Sequence, residues 1–259
     1  MTTLIPVHLI LGFLGVGKST AILDLLRHRP AGEHWAVLVN EFGEVGVDGA
    51  LMDTEGVAVR EVPGGCMCCV AGLPMQVGLN ELIRREKPDR LLIEPTGLGH
   101  PSQVMQTLRG DTYSQVLEIA STLCLVDPRR LSEEKVLSSA HFRDQAAVAD
   151  VLVANKCDLC RPDDLERFRD WARGFEPPKV RVEETRQGRL EPEWLHSPHS
   201  TRPMTQPDAH SHHRDHGHAV ASPSLKDSPW QRVSNQGDEH YSCGWRIAPE
   251  TCFSNRALE

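Results

Sequence analysis

Large rings are scarce in this chain. Aromatic residues make up 5% of its 259 positions, with two tyrosines, so a core has to be built from aliphatic side chains. Basic residues are outnumbered as well: 28 Lys and Arg face 36 Asp and Glu, for a formal net charge of −8. That balance argues against a nucleic-acid partner, which calls for a basic footprint. No apolar stretch is long enough to span a bilayer, so a membrane partner is not expected either. The opening run Met1-Thr2-Thr3-Leu4-Ile5-Pro6 lacks a basic region and a cleavage site, unlike a secretory leader. Cysteine is not scarce, but its eight positions (Cys66, Cys68, Cys69, Cys124, Cys157, Cys160, Cys243 and Cys252) do not form a secreted disulfide framework. The expectation is a cytoplasmic protein with reduced thiols.

What is there is a rhythm. Short apolar runs alternate with helical patterns through residue 185, which predicts βαβ units and a mostly parallel sheet flanked by helices. Val7–Leu11, Trp35–Asn40, Val57–Val62, Arg90–Glu94, Ser121–Asp127, Val151–Asn155 and Val180–Val182 read as strands, and Lys18–His28 and Leu73–Arg85 as helices. Ligands of such sheets sit at the carboxyl ends of the strands. Three segments are expected: an α/β domain over 1–185, a His-rich linker over 186–229, and the start of a small, truncated C-terminal α/β domain over 230–259, with a strand at Tyr241–Ile247. His196–His218 holds seven of the thirteen histidines among Ser, Pro, Thr and Asp, a composition that does not build a core.

Between the first strand and the first helix stands Gly12-Phe13-Leu14-Gly15-Val16-Gly17-Lys18-Ser19-Thr20, a full match to G-x-x-x-x-G-K-[ST] in the required strand–loop–helix setting. Glycines Gly12, Gly15 and Gly17, with Val16, let backbone N–H groups turn toward phosphates. The helix N-terminus favours the same anion. Lys18 supplies charge to the β- and γ-phosphates, and the Ser19 hydroxyl suits Mg²⁺. Asn155-Lys156-Cys157-Asp158 follows a later strand. The Asp158 carboxylate fits the paired N–H donors of guanine, which adenine lacks on that edge, so GTP is the expected nucleotide. Glu94, ending the strand Arg90–Glu94, suits a second contact to Mg²⁺, and the Gly97 N–H suits the γ-phosphate of a switch loop. His100 is a candidate base, with a structural role as the alternative.

Gly64-Gly65-Cys66-Met67-Cys68-Cys69 packs three thiols into four residues. Thiolates are good ligands for Zn²⁺ or Cu(I); a redox-active or incidental cluster is the alternative reading. Cys157 and Cys160 read as bystanders against a second metal or redox pair, and Cys124 as a buried strand residue.

Taken in order, Gly12–Thr20, Asn40–Asp48, Gly64–Cys69, Glu94–Gly97 and Asn155–Asp158 resemble the CobW-type metal-trafficking GTPases, marked by a glutamate such as Glu94 on the Mg²⁺ side. Within that group the runs Gly64–Met75 and Glu94–Pro101 most resemble the YeiR-type zinc-binding GTPases. The resemblance implies a P-loop GTPase domain, slow GTP hydrolysis, Mg²⁺, zinc or a related metal, and a metallochaperone or insertase role. It carries phosphate binding to Gly15, Gly17, Lys18 and Ser19, zinc to Cys66, Cys68 and Cys69, and guanine to Asn155 and Asp158. Family members often carry an acid before the Asn-Glu pair, where this chain has Val39, so Glu44 becomes the oxygen candidate for the zinc site.

Three thiolates leave a fourth zinc position for Glu44, a histidine, water or a client ligand, which suits delivery better than storage. His210, His212, His213, His216 and His218 are auxiliary, weak zinc ligands. The expected partners are GTP, zinc, an unidentified client metalloprotein and a metal-dependent second copy of the chain. A zinc buffer or sensor with incidental hydrolysis, and a cobalt insertase of cobalamin-related metabolism, are the competing functions. A P-loop kinase fits the guanine motif least.

Overall fold

The computed structural model describes residues 4–39, 56–62, 73–95, 100–200, 230–237 and 240–247. The chain divides into two units between Gln206 and Pro207.

The first unit is built on eight strands: β1 (Ile5–Gly12), β2 (Trp35–Val39), β3 (Val57–Glu61), β4 (Arg90–Glu94), β5 (Leu117–Ile119), β6 (Leu123–Val126), β7 (Val151–Ala154) and β8 (Arg181–Glu184). Their order is β3-β2-β4-β1-β6-β7-β8, with β5 also paired to β1. Every pairing in this sheet is parallel. β1 is the axis. It pairs with β4 through Val7–Leu9, with β5 through Ile5–Val7, and with β6 through Ile10–Gly12.

Strand periodicity sorts the core into two faces. Val7, Leu9, Leu11, Ala36, Leu38, Leu91 and Ile93 share one buried cluster with residues of α2 (Leu73–Glu86), α3 (Pro101–Arg109), α4 (Glu134–Ser138), α5 (Ala140–Val148) and α6 (Pro162–Arg173). Ile10, Trp35, Val37, Val39 and Leu92 point the other way. There they meet Ala21, Ile22, Leu25 and Leu26 of α1 (Lys18–Arg27).

α1 does not cover that face alone. Leu190, Trp194 and Leu195 join the same cluster from the segment around a 3₁₀ turn, Pro192–His196. The expected linker begins at residue 186, yet residues 186–200 lie on the first unit. The Leu190 N–H donates to Asp24 at 3.1 Å, and the Ser121 hydroxyl donates to the Trp194 carbonyl at 3.2 Å. Asp150, fully buried just before β7, accepts from the Ser200 N–H at 2.9 Å, the Ser200 hydroxyl at 2.8 Å and His199 Nδ1 at 2.9 Å. Burial alone would raise the Asp150 carboxyl; these bonds hold it below the ordinary range.

A second network sits beneath β1. His8 is fully buried. Its Nδ1 faces the Ser121 carbonyl at 3.0 Å and its Nε2 faces Arg90 Nη1 at 2.7 Å. A carbonyl only accepts and a guanidinium only donates, so Nδ1 carries the proton and Nε2 is bare. Burial, then the Arg90 charge, pushes the His8 pKa down to about 3.

In the second unit, β9 (Trp230–Gly237) and β10 (His240–Ile247) form an antiparallel ladder with Trp230 opposite Ile247. The sequence reading anticipates only the later strand. Among the described residues no helix is long and apolar enough to cross a membrane.

Candidate functional site

The site assembles where β1, β4 and β7 end. β1 runs into Phe13–Gly17 and the chain re-emerges as α1, whose N-cap is Gly17 at φ 99°. A Cβ at Gly17 would lie 2.8 Å from Asn155 Nδ2, so the close approach of the guanine motif, as well as the turn, requires glycine there. The free N–H groups at the start of α1 form an anion cradle. Lys18 is 8% exposed and its Nζ donates to the Gly12 carbonyl at 3.1 Å. Burial lowers its pKa, while the neighbouring Glu94 carboxylate pulls the other way.

β4 delivers Glu94 to the same place. The Ser19 hydroxyl donates to Glu94 Oε1 at 3.1 Å. Burial raises the Glu94 pKa, against the opposing effects of the Lys18 charge and the Ser19 bond. A hydroxyl and a half-buried carboxylate beside a phosphate cradle form a hard-oxygen donor set, which fits Mg²⁺.

β7 delivers the third part. Asn155 is 2% exposed and bridges two loops. Its Nδ2 donates to the Val16 carbonyl at 2.9 Å, and its Oδ1 accepts the Gly188 N–H at 3.0 Å. Lys156 follows in a left-handed conformation at φ 63°, a strained setting of the kind found at functional sites. This turn sends its Nζ to the Gly15 carbonyl at 2.6 Å. Asp158 is exposed on the 3₁₀ turn Cys157–Leu159.

Gly12, Gly15, Val16, Gly17, Lys18, Ser19, Thr20, Glu94, Asn155, Lys156 and Asp158 therefore meet along one edge of the sheet. Gly97, Glu44, Cys66, Cys68, Cys69, His210, His212, His213, His216 and His218 lie outside the described residues. So does the loop Asn40–Asp48. Two histidines of the 196–218 tract are described. His199 is held by Asp150 and by Arg109 Nη2 at 3.2 Å, and exposed His196 lies 3.4 Å from Arg90 Nη2. His100 faces Asp144 at 2.9 Å through Nδ1. Burial pushes the Cys157 thiol up to about 11 and raises that of Cys160. Both stay protonated near neutral pH, the state least suited to metal or redox work. Among the described residues no group of three or more His, Cys, Asp or Glu is placed to hold a metal.

Sequence reasoning missed three participants. Gly188, at φ 71°, packs so tightly on α1 that a Cβ would lie 2.9 Å from the Ala21 nitrogen; a glycine past the last strand was the available signal. Gln145 Oε1 accepts the Gly12 N–H at 2.9 Å, with no motif to mark it. Asp127, at the end of β6, lies 3.6 Å from Lys156 Nζ and 2.7 Å from Arg129 Nη2. A cavity of about 450 Å³ opens beside the loop, between Phe13, Leu14, Asp127, Arg130, Phe142 and Lys156.

Comparison with known proteins agrees with this geometry. Residues 6–182 match the family described as CobW/HypB/UreG, nucleotide-binding domain. The chain is 46% identical over 250 residues to the zinc chaperone YeiR of Escherichia coli, covering 95% of this chain and 75% of that one. It is 29% identical over 217 residues to the zinc chaperone CobW of Pseudomonas aeruginosa, covering 72% of this chain and 58% of that relative. The crystal structure of the Zn(II)-bound YjiA GTPase from E. coli shares the fold, with a TM-score of 0.55 at 24% identity, over 79% of this chain and 68% of that one. A phosphate loop, a glutamate paired to its serine and a guanine motif bridged to both flanking loops, within this match, place the chain in the CobW/HypB/UreG nucleotide-binding family.

Proposed function

We propose that this chain hydrolyses GTP slowly and couples its nucleotide state to zinc binding and to zinc transfer to a client metalloprotein. The observation that carries the reading is the convergence of Lys18, Ser19, Glu94 and Asn155 on one edge of the sheet. In this reading Lys18 and the N–H groups around Gly15–Thr20 hold the phosphates, and Asp158 reads guanine. Ser19 and Glu94 would hold Mg²⁺, which when bound neutralises phosphate charge. Asn155 fixes the phosphate loop against the 185–189 turn. Gly97 is assigned to the γ-phosphate.

Zinc is the cargo. Cys66, Cys68 and Cys69 are assigned to it, with Glu44 as oxygen ligand and His210, His212, His213, His216 and His218 as weak auxiliaries. The names of the zinc-chaperone relatives support this assignment. Cysteine spacing unlike a secreted disulfide framework supports a cytoplasmic setting.

The test is a zinc titration with GDP and with a non-hydrolysable GTP analogue, alongside GTP turnover of the unmodified chain and of Lys18→Ala. The expected result is a nucleotide-dependent zinc affinity and turnover lost in Lys18→Ala. Equal zinc affinity in the two states would leave a zinc buffer. Normal turnover in the variant would remove the phosphate loop from the chemistry.

A further inference from the structure

One turn of α5 touches both the phosphate loop and the start of α3. Gln145 is 1% exposed, and its Oε1 accepts the Gly12 N–H at 2.9 Å. The Gly12 carbonyl in turn accepts from Lys18 Nζ at 3.1 Å. A single residue, Gly12, thus links the Gln145 amide to the ammonium assigned to phosphate. The next side chain back, Asp144, accepts from His100 Nδ1 at 2.9 Å, and His100 is the N-cap of α3. One turn earlier, the His141 ring lies 4.4 Å from the His100 ring, centroid to centroid. Phe142 meets Phe13 edge-to-face at 6.3 Å. Residues 141–145 therefore contact Gly12 and Phe13 on one side and His100 on the other.

We propose that Gln145 is a positioning residue for the phosphate loop and that the His100–Asp144 pair sets the placement of α5 from which Gln145 acts. The physical argument is directional. A buried N–H held by one side-chain acceptor is oriented by it. Gly12 stands where strand becomes loop, so its peptide sets the path of the residues that follow. Asp144 and Gln145 are consecutive on a helix, so a shift of one carries the other. Neither Asp144 nor His100 is needed to hold the core, because both are partly exposed.

The test uses the full chain, ¹⁵N-labelled, and reads the exchange rate of the Gly12 amide. Gln145→Met, close in size but without the acceptor, should speed Gly12 exchange about tenfold or more while leaving the other β1 amides unchanged. Asp144→Ala and His100→Ala should each speed it in the same direction. The double variant should do no more than either single one, because one pair is broken in all three. Asp144→Asn keeps an acceptor for His100 and should restore the slow rate. Unchanged Gly12 exchange in Asp144→Ala overturns the link. Faster exchange throughout β1, with a matching fall in Tm, overturns it in favour of plain stability.

A kinetic arm rests on the GTP reading above: kcat should fall by roughly 10- to 100-fold in Asp144→Ala with KM for GTP held. Absence of turnover in the unmodified chain would count against that reading alone, since the exchange arm needs no nucleotide.

Discussion

Asn155 gives both ends of its amide to other loops, one to Val16 and one to Gly188. The sequence marks it through the four-residue motif and marks Gly188 only as a glycine past the last strand, while nothing marks Gln145. A glutamine in a helix reads as an ordinary helix former, and only its burial against Gly12 reveals the role. His8 is the same lesson in a titratable group. In β1 it alternates with Val7 and Leu9 as any strand residue would. Its depressed pKa makes folding acid-sensitive. The unfolded imidazole titrates near its ordinary 6.5 and the folded one near 3, so between those values the unfolded state binds more protons. Stability is then full above the unfolded value and is lost as pH falls toward 3. Between pH 7 and pH 5 the His8 share of that loss should be about 2 kcal/mol. Urea unfolding of the unmodified chain and of His8→Gln at both pH values should show the variant losing less by about that amount. An equal loss in both proteins would remove His8 as the cause.

At the scale of elements, the strand Arg90–Glu94 has the bounds the periodicity predicts, and the other strands that were read agree within about two residues. The three-residue β5 was missed because so short a run carries no period. The segment 186–200 was read as linker for a related reason. Its apolar residues Leu190, Trp194 and Leu195 fit neither a strand nor a helical repeat, yet all three are buried. They complete the face that α1 covers only partly. Trp194→Ala should therefore cost about 3–5 kcal/mol of stability, read as a lower urea midpoint at unchanged m-value. A cost under about 0.5 kcal/mol, the surface range, would make the segment the linker it resembles.

For the whole molecule, the parallel sheet and its nucleotide edge were legible because phosphate and guanine motifs tie residue type to strand ends. Packing between elements was not, since Gln145, Asp144 and His100 meet only through the fold. The proposed zinc coupling belongs to this scale. If GTP changes zinc affinity, zinc must change GTP affinity by the same factor, typically about 5- to 150-fold. Changing Cys66, Cys68 and Cys69 together to Ala should abolish the factor and spare GTP binding. Paired titrations that still show reciprocal coupling in this triple variant would move the cargo site elsewhere.

His8 and His199 share one further property. Each has both ring nitrogens engaged, His8 by Ser121 and Arg90 and His199 by Asp150 and Arg109. An imidazole attacks acylating reagents through its nitrogen lone pair, and here each lone pair faces a guanidinium. These two rings should stay unlabelled by diethyl pyrocarbonate while the amino-terminal edge of the sheet is intact, and react once it frays. The chain thus carries its own chemical footprint of that edge, readable by mass spectrometry peptide by peptide, at the end of the sheet remote from the nucleotide.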